Sequence, residues 1–308
     1  MVALRSLAHP IAMTGDDKEG GLMMAASKKG FSLHVGLNAV DPATYEGWKG
    51  ELVACEADAG AMAVIAKSCG FETRVLLKTA EATRDRVKDE ILRAAAGLGP
   101  DDMFFLTYSG HGGQVPDRNG DEDDYKDETW CLFDGELIDD ELYALWQRFA
   151  PGVRILVLSD SCHSGSVLRE LRESGALLAA LQAPPASADA NALPRTRAMP
   201  PREVIRTYEA HREFYDGLQA SLPGEKGEVQ SSVRLISGCQ DDQTSSDGQF
   251  NGLFTSTLLR VWKNGGFRGT YADFHGAIVK LMPPDQTPNH YMVGKANPEY
   301  DAQQPFTI

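Results

Sequence analysis

Two apolar runs that stop at small polar residues constrain this chain more than any other feature. Met103–Tyr108 reads MFFLTY and ends at Ser109-Gly110-His111-Gly112-Gly113. Val153–Ser159 reads VRILVLS and ends at Asp160-Ser161-Cys162-His163-Ser164-Gly165. Neither run alternates polar with apolar residues, and such runs suit strands buried on both faces, as in a parallel sheet covered by helices. In parallel α/β sheets the loops leaving the C-terminal strand ends carry function. Here one such end delivers a histidine and the other a cysteine.

The flanking pattern agrees with that class. Phe31–Leu37 reads as a first strand, Leu52–Ser68 as a helix with Leu52, Cys55, Ala59, Met62 and Ile65 on one face, and Phe71–Lys78 as a second strand. Thr83–Leu98 reads as an amphipathic helix closed by Gly99-Pro100. Strand, helix, strand, helix, strand implies parallel pairing through right-handed crossovers, hence a three-layer αβα sandwich with a mostly parallel sheet. Further on, the pattern predicts a short strand at Thr129–Phe133, a turn at Asp134-Gly135 and a helix from Asp139-Asp140 to about Phe149. Helices are expected at Ser166–Leu181, Glu203–Leu218, Leu253–Trp262 and Tyr271–Leu281, with a strand at Val233–Ser237. Residues 1–29 show no period and read as a flexible arm. Pro184–Pro201, PPASADANALPRTRAMPP, reads as a mobile linker.

Composition narrows the function classes. A formal net charge of −14 argues against unspecific nucleic-acid binding, which needs a basic surface. Five cysteines, an odd number without a C-x-x-C pair, favour a reducing compartment over a disulfide framework. No apolar stretch approaches the roughly 20 residues that span a bilayer, and His9, Pro10 and Asp16-Asp17 interrupt any secretory h-region. A cytoplasmic location is the default expectation.

A thiolate nucleophile needs a base for its proton and donors for the oxyanion it creates. Cys162 at one strand tip, His111 at the tip of a neighbouring strand about 4.8 Å away, and the N–H groups of Gly112 and Cys162 meet those needs. Gly110, Gly112 and Gly113 leave room for a substrate backbone. His163 competes as base, but a side chain next to the nucleophile normally points elsewhere. Cys55, Cys69, Cys131 and Cys239 read as small apolar residues. A metal hydrolase built on His111, Cys162 and His163 fits no zinc spacing.

Tyr108–Gln114 (YSGHGGQ) and Asp160–Gly165 (DSCHSG) resemble the paired motifs of metacaspases, the caspase-like cysteine peptidases, and the resemblance covers approximately residues 30–295. Cys55-Glu56-Ala57-Asp58 resembles the Cys-x-x-Asp of the first helix, and Ile236–Asp247 the small-subunit signature. The resemblance implies a caspase–haemoglobinase fold within residues 30–308: a large-subunit region at about 30–182, a linker at about 183–201 and a small-subunit region at about 202–308. It also implies His111 as general base, Cys162 as nucleophile, an acyl-enzyme, and cleavage of protein or peptide substrates after Arg or Lys. A cationic side chain requires a pocket of carboxylates. Asp160, two residues before the nucleophile, is placed for it, while by similarity Asp58 and Asp241, with Ser109, complete the wall; Asp242 and Asp247 are rivals for the last place. Asp160 would also serve as a helix cap. A catalytically silent scaffold acting by protein binding is the alternative function, and a monomer is expected.

Two loops add regulatory expectations. Asp117, Asn119, Asp121, Asp123 and Glu128 fall at EF-hand-like offsets, but the glycine sits at offset four rather than six. The resemblance instead implies calcium at Asp127, Asp139 and Asp140, with Arg169 where the family has a fourth acid and Glu170 as its only substitute. The linker carries Arg195 and Arg197 in accessible sequence, which suits self-cutting to fragments starting at Thr196 or Ala198. The arm offers Lys28 and Lys29.

Overall fold

In the computed structural model the described residues are 27–120, 125–162, 196–222, 228–239, 247 and 250–308. The strands, in chain order, are Gly30–Gly36 (β1), Thr73–Lys78 (β2), Met103–Ser109 (β3), Gly112–Pro116 (β4), Lys126–Leu132 (β5), Gly135–Ile138 (β6), Arg154–Asp160 (β7), Ser232–Ser237 (β8) and Asn289–Gly294 (β9). Six of them form the main sheet in the order β2-β1-β3-β7-β8-β9. The first five pair in parallel and β9 closes the edge antiparallel to β8. The α/β sandwich expected from the two apolar runs is the observed architecture.

The two runs lie side by side, with Ser109 of β3 opposite Asp160 of β7. Alternate residues of each strand feed opposite layers. Phe104, Leu106, Ile155 and Val157 face Val87, Ile91 and Ala94 of helix α2 (Arg84–Gly97) and Leu145 of α3 (Asp139–Trp146). Met103, Phe105, Leu156 and Leu158 face Met62 and Ile65 of α1 (Cys55–Ser68) and the helices Leu253–Trp262 and Tyr271–Val279. Burying each such side chain is worth about 1.5–3 kcal/mol. That double coverage explains why neither run shows alternation. Thr83 starts α2 by accepting from the Arg86 N–H, and Thr270 caps Tyr271–Val279 through the Asp273 N–H.

Three local features differ from the sequence expectation. The expected helix at Glu203–Leu218 is two, Pro201–Ala210 (α4) and Arg212–Ser221 (α5), parted at His211 with φ −118 and ψ 22. The His211 ring pairs with the Thr44 carbonyl at 2.9 Å, a tertiary contact that a periodic pattern does not reveal. The expected short strand and turn after the acidic loop are part of a three-stranded antiparallel sheet, β4-β5-β6. Gly135 opens β6 at φ +148, with Arg84 packed where a side chain would sit. Finally, residues 196–200, placed in the linker by sequence, hold defined positions, and Pro201 already begins α4. The helix expected at Ser166–Leu181 and residues 1–26 of the expected arm lie outside the described residues; Lys29, at the arm's end, donates its N–H to Asp102 at 2.7 Å.

Within the small sheet, Glu136 of β6 is fully buried and accepts from Thr129 Oγ1. Burial pushes its carboxyl up to about 7. The folded chain therefore binds this proton more tightly than the unfolded one, so the stability it confers is present below about pH 4.5 and is lost as pH rises through about 7. Glu136→Gln is expected to gain on the wild type by about 3 kcal/mol between pH 4.5 and 8 in urea unfolding series. A stability difference that stays flat with pH would refute the assignment.

Candidate active site

His111 and Cys162 each follow, by two residues, the paired positions Ser109 and Asp160, so the register of β3 on β7 brings both to one edge of the sheet. The His111 main chain is held firmly. Its carbonyl accepts from Tyr108 Oη at 2.7 Å and from the Cys131 N–H at 2.9 Å. Tyr108 in turn stacks on Trp130 with ring centroids 4.5 Å apart. Gly110 has no alternative, because a Cβ there would meet Tyr108 Oη at 2.5 Å.

The His111 ring is buried against Trp48, 4.8 Å between centroids, and Nε2 pairs with the Gly50 carbonyl at 3.1 Å. Nδ1 has no hydrogen-bond partner among the described residues. Burial lowers the imidazole to about 4, opposed by the hydrogen bond to the Gly50 carbonyl. It is therefore neutral at pH 7 and able to accept a proton. Gly50 adopts φ +52, and a side chain there would crowd both rings. Trp48 and Gly50 were not found by sequence reasoning. Gly50 acts through its carbonyl, which every residue possesses.

The segment 196–200 lies across these strand ends. The Arg197 carbonyl accepts from the Gly112 N–H at 2.9 Å and from the Cys162 N–H at 3.2 Å. The Met199 N–H returns to the Gly112 carbonyl at 2.8 Å, a parallel bridge between Gly112 and Ala198. Arg197 itself is 0% exposed. Its Nη1 lies 2.8 Å from Asp160 Oδ2 and 2.8 Å from Ser109 Oγ. Its Nη2 lies 2.6 Å from Asp58 Oδ2 and 3.1 Å from Asp247 Oδ1. Both terminal nitrogens of the planar fork are thus shared among carboxylates, an arrangement suited to guanidinium.

Each carboxylate has its own support. Asp58, in the first turn of α1, accepts from Asn251 Nδ2 at 2.8 Å, Gly252 N–H at 3.0 Å and Ser109 Oγ at 2.8 Å. Asp160 ends β7 and accepts from Thr255 Oγ1 at 2.9 Å. Asp247 caps the approach to α1 by accepting from the Val53 and Ala54 N–H groups at 2.7 and 3.2 Å. Burial pushes the Asp58 carboxyl up, and the Arg197 guanidinium pulls it down. Gly252 packs directly on the guanidinium, leaving no space for a side chain. Of the pocket residues expected from sequence, Asp58, Ser109 and Asp160 meet here. Asp241 lies outside the described residues, and the rival Asp247 stands beside them.

A family model described as the caspase domain, peptidase C14, matches residues 39–306. The chain belongs to the caspase/metacaspase family of cysteine peptidases. It is 30% identical over 256 residues to metacaspase-1 of Emericella nidulans, covering 74% of this chain and 60% of that protein. It is 31% identical over 256 residues to metacaspase-1A of Aspergillus oryzae, covering 74% and 58%. Among solved structures, a Geobacter sulfurreducens protein superposes with a TM-score of 0.79 at 54% identity, covering 91% of this chain and 98% of that one. The chain spans about 60% of the length of the metacaspases cited here.

Against the other expectations for a metacaspase, the geometry is more divided. Cys55 and Cys131 are buried thiols, with Cys55 pushed up to about 12 by burial. Cys239 Sγ donates to the Ser161 carbonyl at 3.2 Å. At the implied calcium residues, burial first and then the charges of Glu128, Asp127 and Asp140 push the Asp139 carboxyl well up. Asp140 accepts from Asn119 Nδ2 at 2.7 Å. Among the described residues no group of three or more His, Cys, Asp or Glu stands in a metal-holding arrangement; Asp127, Asp139 and Asp140 lie near enough for their charges to act on one another, and the fourth implied position falls outside the described residues. Arg169, Glu170, His163 and Arg195 lie outside the described residues. No described helix is long and apolar enough to cross a membrane.

Proposed function

We propose that the chain is an endopeptidase that cleaves after arginine, and more weakly after lysine, through His111 and Cys162. One observation carries the reading: Arg197 lies as a substrate residue would, with its side chain among Asp58, Asp160 and Asp247 and its carbonyl oxygen between the Gly112 and Cys162 N–H groups. Those two donors form the oxyanion hole. His111 takes the Cys162 proton, and the sulfur attacks the carbonyl carbon. The C–N bond then breaks as His111 passes the proton to the leaving amine. Water, deprotonated by the same imidazole, hydrolyses the thioester. The Gly50 carbonyl holds Nε2, which leaves Nδ1 for this traffic.

The pocket also ranks its substrates. Arginine offers two terminal nitrogens to two sets of acceptors, whereas lysine brings one, so kcat/KM for Arg peptides is expected to exceed that for Lys peptides by roughly 10-fold or more. Fluorogenic peptides differing only in the residue before the cut (Arg, Lys, Asp) test this. Turnover of the Asp peptide in preference to Arg would overturn the proposal.

A further inference from the structure

Beyond the cut itself, the chain continues into a second, apolar recess. Exposure along Thr196–Pro200 alternates, with Arg197 and Met199 buried and Thr196 and Pro200 exposed, as in an extended strand. Met199 is fully buried among Val40, Tyr45, Cys131 and Val204, with Trp48 beside the cluster. Its Sδ lies 4.0 Å from Cys131 Sγ. The Tyr45 hydroxyl is turned away to the Leu132 carbonyl at 2.7 Å, so the recess receives its ring rather than its polar end.

We propose that the recess formed by Val40, Tyr45, Trp48 and Cys131 is a specificity subsite for a large unbranched or γ-branched apolar residue two positions after the cleaved bond. The inference rests on the arginine-cleaving reading above. Its strongest support is the shared backbone of Gly112. The Gly112 N–H holds the Arg197 carbonyl and the Gly112 carbonyl holds the Met199 N–H, so one residue sets both registers. A peptide with its arginine in the acidic pocket and its carbonyl on Gly112 delivers its second residue past the cut to this recess. Ala198 between them is half-buried and points to neither pocket, so the intervening position selects little. Val204, on α4, forms the recess wall that belongs to the chain's own segment; the other side chains come from the body of the domain. The shape suits methionine, whose flexible thioether fills irregular gaps and contacts rings and sulfur favourably.

The experiment uses self-processed protein carrying Met199→Gly, in which the segment still joined to α4 no longer fills the recess, and internally quenched peptides with Arg-Ala at the cut, followed by Met, Leu, Gly or Asp. An Arg-coumarin amide with nothing comparable after the cut serves as reference. The Met and Leu peptides are expected to exceed the Gly peptide in kcat/KM by roughly 10–100-fold, with Asp below Gly. In the intact chain, Met199→Leu should cut itself at near wild-type speed, and Met199→Asp more slowly by a similar factor. Equal rates across the peptide series, in protein that turns over the coumarin amide, overturn the subsite. Failure on the coumarin amide as well overturns the arginine reading instead.

Discussion

Incubated after purification, the chain is expected to cut itself between Arg197 and Ala198, and Cys162→Ala to stay whole. Two arginines stand close together in the expected linker, and sequence alone does not choose between Arg195 and Arg197. The geometry does choose. Arg197 is buried on three carboxylates, and its carbonyl already sits on two N–H donors, so the bond after it is held in place and much of the entropic cost of positioning it is met within the chain. Loss of the sulfur should slow the cut by at least about 10⁴-fold, the scale found when a nucleophile is removed from a working constellation. Time-resolved intact mass with N-terminal sequencing reads the result. A fragment beginning at Ala198 that forms equally fast in Cys162→Ala would sink the assignment, as would a dominant cut after Arg195. The uncut segment also occupies the site that any external arginine needs. Peptide turnover should therefore begin with a lag that tracks appearance of the Ala198 fragment.

What the sequence made legible divides along a physical line. Buried strands are legible because their composition is dictated by two covering layers, and Met103–Ser109 and Arg154–Asp160 lie within a residue of their apolar runs. The approach of His111 to Cys162 is legible for the same reason, since parallel register carries both tips to one edge. Asp58 and Asp160 come together because each ends or opens a regular element on that edge. Asp247 was harder to single out from Asp241 and Asp242. All three belong to one polar stretch of sequence, ISGCQDDQTSSD, and nothing in its composition tells that Asp247 reaches the Val53 and Ala54 N–H groups. Gly50 left no trace, because its contribution is a carbonyl held by a positive φ. The end of the expected linker misled most. Pro/Ala-rich composition correctly argues that Thr196–Pro200 has no core of its own, but a substrate-like strand borrows its burial from a site elsewhere.

Asp160→Asn should then separate the acidic pocket from the catalytic pair. The substitution keeps a carbonyl oxygen for Thr255 Oγ1 but removes the charge 2.8 Å from the guanidinium. Deleting one partner of a buried charge pair typically costs 2–5 kcal/mol, or roughly 30- to several-thousand-fold in kcat/KM for an Arg peptide. A merely misfolded site would slow every substrate alike, so the telling measurement pairs each Arg peptide with its citrulline analogue, which has nearly the same shape and no charge. In the wild type the ratio should be large, because citrulline leaves buried carboxylates without a cation. In Asp160→Asn and Asp58→Asn the ratio should shrink by at least about 10-fold, and the citrulline peptide should lose less than the Arg peptide does. Burial already pushes the Asp58 carboxyl up and Arg197 opposes it, so arginine entering the empty pocket should favour release of a proton. Asp58→Asn should abolish that pH dependence of Arg-peptide KM, whereas Asp160→Asn should only weaken it, because the Asp160 charge adds to the upward push on Asp58. An Arg-to-citrulline ratio unchanged in both variants would mean that these carboxylates hold Arg197 for structural reasons alone, and that the substrate's charge is read elsewhere.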